Sequence, residues 1–344
     1  MRSTPETSGK LWGLRRLAGP DGRFRMLAVD QRPPLFQLIA KARGISPDAV
    51  PYDEVCALKR LLVEELAPHA DAVLLDPNFA YPAAIDALPP RTGLIVTLED
   101  HRVEETPGGR RSRSIAGWDV GRIKRLGADG AKLLAWYRPD AAEEVCAHQQ
   151  DYVREVGAAC AAHDIPFILE LLVYPFQGSA GHHADYAEDP AKQAALVIES
   201  VRRFASPEYG VDLFKLECPV PAASLAEDGA AAAFAALAEA TAGRPWVMLS
   251  AGAAPQQFAR VLEHAYAAGA SGFLAGRAIW WQAMLDWPDA ARCRARLRAE
   301  AVPYLTALSA LTGRLARPVA LPAPDRSRIT REGDFVAAVP ALGR

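Results

Sequence analysis

One short pattern recurs along this chain and limits what it can fold into. A short, mostly apolar run, in most cases closed by a polar residue, a glycine or a proline, is followed as a rule by a stretch of helical period. The runs are 25–34, 71–77, 93–99, 130–136, 166–172, 210–219, 246–250 and 271–276. Short apolar runs bounded by turn residues read as buried strands. Helical stretches at 53–68, 118–126, 141–163, 192–204, 230–242 and 256–268 lie between them or open the units. Strands joined through helices imply right-handed crossovers and a parallel sheet. Eight such units in roughly 250 residues point to a closed (β/α)8 barrel. The rival is a doubly wound open sheet. It calls for a glycine-rich phosphate loop after an early strand, and the sequence shows none.

No internal boundary stands out. The reading is a leading segment over 1–25, with a short amphipathic helix from Lys10 to Leu17, then a barrel over 26–313 that ends in a C-terminal helical extension. A proline- and arginine-bearing tail follows over 314–344. Two stretches after strands, 101–114 and 174–189, are expected as loose surface loops at the catalytic face, where one could act as a lid. Trp280, Trp281 and Trp287 are either core or an interface between copies, and a homo-oligomer is expected.

Composition narrows the function classes. The 39 basic and 41 acidic residues leave a net charge of −2, so the chain as a whole offers no field for nucleic acid or an anionic membrane. No apolar run approaches the ~20 residues that cross a bilayer, and residues 1–6 lack the apolar centre of a signal peptide. The five cysteines are scattered, without a CxxC or a zinc-like spacing. A reducing cytoplasm is the expected compartment.

Against that neutral background, ionisable residues on core strands are conspicuous. Strand ends supply Asp30 with Gln31, Asp76, Glu99, Lys132, Glu170, Lys215 with Glu217, Ser250, and Gly276 with Arg277. In a barrel these ends converge on one site. Leu213, Lys215 and Glu217 share a strand face by alternation. A lysine there is either satisfied by a carboxylate such as Glu217 or is a desolvated amine able to attack a carbonyl. Lys132, on a nearby strand, would be a second cation beside it. Glu170, on the strand between, is placed to move protons. Asp30 could hold Lys132 or a substrate hydroxyl. The small residues of Ser250-Ala251-Gly252 and Gly276-Arg277 admit backbone N–H groups to an anion, with Arg277 as a further donor.

Six blocks resemble a known family. They are Leu27-Ala28-Val29-Asp30-Gln31-Arg32, Gly127-Ala128-Asp129-Gly130-Ala131-Lys132, Asp164-Ile165-Pro166-Phe167-Ile168-Leu169-Glu170, the run from Gly210 to Val220, Leu249-Ser250-Ala251-Gly252, and the run from Gly272 to Trp280. In order and spacing they resemble the class I, Schiff-base aldolases of the tagatose 1,6-bisphosphate type, over roughly residues 10 to 300. The resemblance implies Lys215 as the imine-forming lysine and Glu170 as the proton-transfer residue. It implies a site lined by Asp30, Gln31 and Lys132, and the phosphate of the dihydroxyacetone phosphate half held by Ser250, Gly252, Gly276 and Arg277. It implies neither metal nor cofactor, and a phosphorylated ketose (a 1,6-bisphosphate or a 1-phosphate) as substrate.

Three departures stand out: Cys218, where relatives more often carry Val, the arginine-rich stretch 101–116, and the tail. Arg110, Arg111 and Arg113 either clamp a distal phosphate or sulfonate, as on a sulfofructose phosphate, or are solvated. The competing readings are a metal-dependent aldolase or epimerase using His101, His182, His183 or Asp185, and a barrel that binds sugar phosphates as a regulator without turning them over.

Overall fold

In the computed structural model, residues 7–178, 192–226 and 229–320 are described. The recurring runs become β1 (Phe24–Ala28), β2 (Ala72–Leu75) and β3 (Gly93–Thr97). A hairpin follows, β4 (Glu104–Thr106) with β5 (Gly109–Arg111). The remaining runs give β6 (Gly130–Trp136), β7 (Phe167–Leu172), β8 (Leu213–Leu216), β9 (Trp246–Met248) and β10 (Gly272–Ala275). Eight of these form one closed parallel barrel in the order β1-β10-β9-β8-β7-β6-β3-β2. The seam between first and last strand depends on Gly272, paired with Phe24. A Cβ there would lie 1.9 Å from the Phe24 carbonyl oxygen. The open sheet is therefore excluded.

Helices α1 (Ser8–Leu17), α2 (Pro33–Arg43), α3 (Tyr52–Leu66), α4 (Ala80–Ala84), α5 (Val120–Arg125), α6 (Glu143–Ala162), α7 (Ala194–Phe204), α8 (Ala230–Ala240) and α9 (Pro255–Ala267) accompany the strands. The chain then runs through α10 (Arg277–Met284), α11 (Ala290–Arg296) and α12 (Val302–Leu315). None of the described helices is long and apolar enough to cross a membrane. Helix α2 starts on Pro33-Pro34, which alone looks like a strand terminator. A proline in the first turn gives up no helical hydrogen bond, so the pair opens a helix instead.

Alternation along the strands builds two cores. Outward side chains pack beneath the helices in one large cluster. Inward ones, among them Phe24, Met26, Leu74, Ile95, Ile168, Leu213, Val247 and Leu274, fill the barrel's interior. Leu17 of α1 joins this inner set, and Leu11 and Leu14 are also buried. Helix α1 fits so closely that a Cβ on Gly13 would lie 2.3 Å from the Asp129 carbonyl oxygen. The leading segment thus packs against the N-terminal end of the barrel, and the strand-end residues gather at the C-terminal mouth.

The stretch 101–114 is a hairpin rather than a loose loop. Arg110 is fully buried beneath it, 4.6 Å above the Trp136 ring and 5.1 Å from that of Tyr174, and it pairs with Glu105 at 2.7 Å. Of the other expected loop, 179–189 lies outside the described residues, and His182, His183 and Asp185 with it. Trp280 is wholly buried and its indole N–H donates to the Ala28 carbonyl at 3.1 Å.

Candidate active site

The register places the polar residues one level above the apolar floor. Glu170 of β7 stands opposite Lys215 of β8, and Leu134 of β6 stands opposite Glu170. Lys132 starts one pleat lower, level with Thr97 and Ile168. Its longer reach brings the amine up into the same layer. The Lys215 ammonium nitrogen then donates to Glu170 Oε2 at 2.9 Å, and the Lys132 nitrogen lies 2.8 Å from that same oxygen. The two amines are therefore separated by no more than those two contacts laid end to end. Lys132 also donates to Asp30 Oδ2 at 3.1 Å and to Glu99 Oε1 at 2.5 Å. The other oxygen of Glu99 accepts from the Leu134 N–H at 3.1 Å. All five side chains are buried.

Burying a charge is costly unless partners compensate it. For Lys132, burial works against the ammonium, but Asp30, Glu170 and Glu99 together outweigh it and raise its pKa above the usual lysine range. For Asp30, burial works against the carboxylate, and the charges of Lys132, Lys215 and Arg32 override it, holding its pKa well below the ordinary value. Both stay ionised throughout the neutral range.

Glu217 has no part in this layer. It sits one residue beyond β8, accepts from the Val173 N–H at 2.7 Å and pairs with Lys192 at 3.1 Å. Of the two readings of Lys215, the pair with Glu217 does not form; its carboxylate partner is Glu170. Asp76 is likewise absent from the mouth. It is completely buried, ion-paired with Lys59 of α3, and accepts from the Asn78 and Phe79 N–H groups at 3.1 and 2.7 Å. It caps the turn after β2. The charge on Lys59 was hidden in the sequence because the residue lies in an otherwise amphipathic helix.

The mouth is a pocket lined by Asp30, Gln31, Lys132, Glu170 and Lys215. Ser250, Gly276 and Arg277 close one side, and Glu99, Asp100 and His101 the other. Gly276 precedes α10, and Arg277 is its first residue. A Cβ on Gly276 would lie 2.4 Å from the Ala28 carbonyl oxygen, so the backbone must run close there. Gly252 is not part of the lining. It has a φ of +81° and lies behind the pocket, where a Cβ would touch the Arg277 guanidinium carbon at 3.4 Å. Its smallness makes room for that side chain. Asp30 Oδ1, Gln31 Oε1 and Arg32 Nε are buried without a hydrogen-bond partner among the described residues. Native proteins seldom leave such atoms unmatched.

Arg110, Arg111 and Arg113 do not line the pocket. Arg110 braces the Trp136 wall from behind. Arg113 is half exposed and lies 3.5 Å from Asp100. His101 does line it, with Nδ1 3.4 Å from Asp100 Oδ1 and its ring edge-on to Phe36. Among the described residues no three His, Cys, Asp or Glu side chains cluster as a metal ion needs. Glu99 was visible in the sequence only as one more acid at a strand end; its contact with Lys132 required the barrel to close.

The chain matches the family model described as "DeoC/LacD family aldolase" over residues 24–282. A tagatose 1,6-diphosphate aldolase from Lactococcus lactis subsp. lactis is 34% identical over 286 residues, covering 80% of this chain and 85% of the relative. A tagatose 1,6-diphosphate aldolase from Streptococcus agalactiae is 32% identical over 303 residues, covering 84% and 90%. Among solved structures, an archaeal fructose 1,6-bisphosphate aldolase superposes with a TM-score of 0.55 at 18% identity, covering 88% of this chain and 98% of the other. The fructose-bisphosphate aldolase of Plasmodium falciparum gives 0.65 at 12% identity, covering 91% and 98%. These two superpositions speak to the barrel fold.

Proposed function

The chain belongs to the DeoC/LacD family of aldolases and is a lyase, and we propose that it cleaves a ketose 1,6-bisphosphate or ketose 1-phosphate through an imine on Lys215, without a metal. The observation that carries this is one carboxylate oxygen, on Glu170, in contact with two buried amines. Lys132 is held as a permanent cation by its three carboxylates. Glu170 can therefore take the proton that Lys215 must release before its nitrogen attacks the C2 carbonyl. Glu170 returns that proton to the hydroxyl of the carbinolamine, which leaves as water and gives a protonated imine, an electron sink for breaking the C3–C4 bond. Glu170 removes the C4 hydroxyl proton as the aldehyde leaves. The enamine left on Lys215 is reprotonated at C3, and water releases dihydroxyacetone phosphate.

Binding follows the same geometry. Arg277 at the start of α10, the first N–H groups of that helix and the Ser250 hydroxyl form an anion cradle for the C1 phosphate. The unmatched Asp30 Oδ1 and Gln31 Oε1 accept from substrate hydroxyls, which satisfies atoms that are otherwise costly to bury. Lys132 stabilises the negative charge that passes through Glu170 and the departing oxygen.

A cleavage screen over ketose 1-phosphates and 1,6-bisphosphates, coupled to detection of dihydroxyacetone phosphate, tests this reading. Release that persists in a strong chelator is expected. Release that stops under the chelator contradicts the metal-free mechanism. Binding across the panel without any release identifies a regulator instead.

A further inference from the structure

Resting on the imine reading, we propose that Glu217, held by Lys192, is a positioning residue. It closes the seam between β7 and β8 and so fixes the Glu170–Lys215 contact across which the proton passes. Those two residues face each other because the strands pair in parallel, from Ile168 opposite Leu213 to Leu171 opposite Leu216. The ladder is only four pairs long, and the reacting pair is the third, one step from its upper end. Beyond it the strands part. The Leu216 carbonyl accepts from the Leu249 N–H at 2.9 Å, on the β9 side. The Val173 N–H, a buried backbone donor, needs an acceptor. Glu217 supplies it. Its Oε1 accepts from Val173 at 2.7 Å, and its Oε2 accepts from the Lys192 ammonium at 3.1 Å.

The lower end of the same seam is closed in the same manner. Asp212 Oδ2 accepts from the Phe167 N–H at 2.8 Å and pairs with Lys10 at 2.6 Å. At each end, then, a carboxylate flanking β8 takes an N–H flanking or opening β7, and a lysine from outside the barrel neutralises it. Lys10 belongs to α1, and Lys192 stands just before α7. The two brackets differ in depth. The side chains of Lys10 and Asp212 are 11% and 15% exposed, those of Lys192 and Glu217 0% and 2%. Burying a lysine–carboxylate pair seldom gains stability over apolar residues of the same size. What this pair supplies is an arrangement. Glu217 lies two residues past Lys215, and Val173 three past Glu170, where no further ladder holds the strands together. Neither Glu217 nor Lys192 lines the pocket, so the pair acts through Glu170 and Lys215 and does not touch the substrate. A shift of about 1 Å between reacting groups is enough to cost roughly 10²-fold in rate.

The test uses three variants of the full chain. Steady-state kinetics on the best-cleaved ketose phosphate gives kcat and KM, and borohydride trapping of dihydroxyacetone phosphate gives the rate and amount of adduct on Lys215. The first variant, Glu217→Gln with Lys192→Met, removes both charges and keeps an oxygen for the Val173 N–H. The second, Glu217→Leu with Lys192→Met, removes the charges and the oxygen. The third, Glu217→Asp, keeps the charge and draws the carboxylate back by one methylene. The first should hold kcat within about threefold of the parent. The second and third should lose about tenfold to a hundredfold in kcat with KM nearly unchanged. In those two, trapping on Lys215 should slow by a like factor yet reach the parent's final amount, whereas a purely structural role would lower the amount and leave the rate. Full rates in the second and third variants, or a first variant as slow as the second, overturn the proposal. Where the second variant fails to fold, the third against the first decides. An adduct on Lys215 with equal rates in all the variants sinks only the positioning role; no adduct on the unaltered protein sinks the imine reading and this role with it.

Discussion

The two ends of this barrel are made by the same eight strands, yet their charges are handled in opposite ways. At the N-terminal end, pairs are local and mostly one to one. Lys10 meets Asp212 at 2.6 Å, Arg16 meets Asp129 at 3.4 Å, and Arg25 lies between Asp21 and Asp71. Helix α1 covers them with Leu11, Leu14 and Leu17. At the C-terminal end one Glu170 oxygen is shared by two amines, one amine is shared by three carboxylates, and acceptor atoms of Asp30 and Gln31 go unmatched. An end whose charges are matched in pairs serves stability. An unsaturated end stays ready for a substrate, at some cost to stability, as functional sites commonly do.

Substitutions at the two ends should separate activity from stability. The largest effect is expected at Lys215→Met, which removes the proposed nucleophile while placing an apolar side chain on an apolar-floored strand. Turnover should vanish, with a thermal midpoint equal to or above that of the parent; measurable turnover breaks the comparison at its centre. Glu170→Gln keeps the shape and removes the proposed proton carrier, so kcat should fall by about 10²–10⁴-fold, as steady-state rates will show. Lys132→Met should damage both properties. It leaves Asp30, Glu99 and part of Glu170 as buried acids without their cation, and denaturant titration should register a loss of about 3–5 kcal/mol. At the N-terminal end, Leu14→Ala should cost about 2–5 kcal/mol of stability with kcat unchanged; a loss of rate without a loss of stability would mean helix α1 is part of the chemistry.

The smallest expected effect is one of pH. The pKa of His101 falls from an ordinary 6.5 to about 4 on folding, through burial and then the charge of Arg32. Between those values the unfolded chain binds a proton that the folded one does not. Stability should therefore decline as pH drops through that window. His101→Gln should flatten this part of a stability-versus-pH curve, and an unaltered slope would show that the ring is not shielded.

The barrel was legible because each strand is a short apolar run with turn residues at its ends, a signal contained within a few residues. Lys132, Glu170 and Lys215 were legible as a group because they sit on adjacent strands. What escaped depends on partners distant in sequence. Asp30 and Asp76 each stand two residues past an inward-facing one, Ala28 and Leu74, so alternation treats them alike. Yet Asp30 enters the pocket, while Asp76 caps the turn after β2 and pairs with Lys59. Alternation ends where the strand ends, and a local turn then decides. Arg110 reads as an anion clamp or as solvated in a string of charges, because the rings that bury it, Trp136 and Tyr174, lie on later strands and their connections. His101 was weighed only as a metal ligand, since nothing in sequence tells that the charge of Arg32 reaches it.

Reduction with borohydride in the presence of dihydroxyacetone phosphate, followed by mass mapping of peptides, tests the imine most directly. The structure predicts a three-carbon phosphate adduct on Lys215, absent from Lys215→Met. Mass added at Lys132 or another lysine, or no added mass at all, would contradict it.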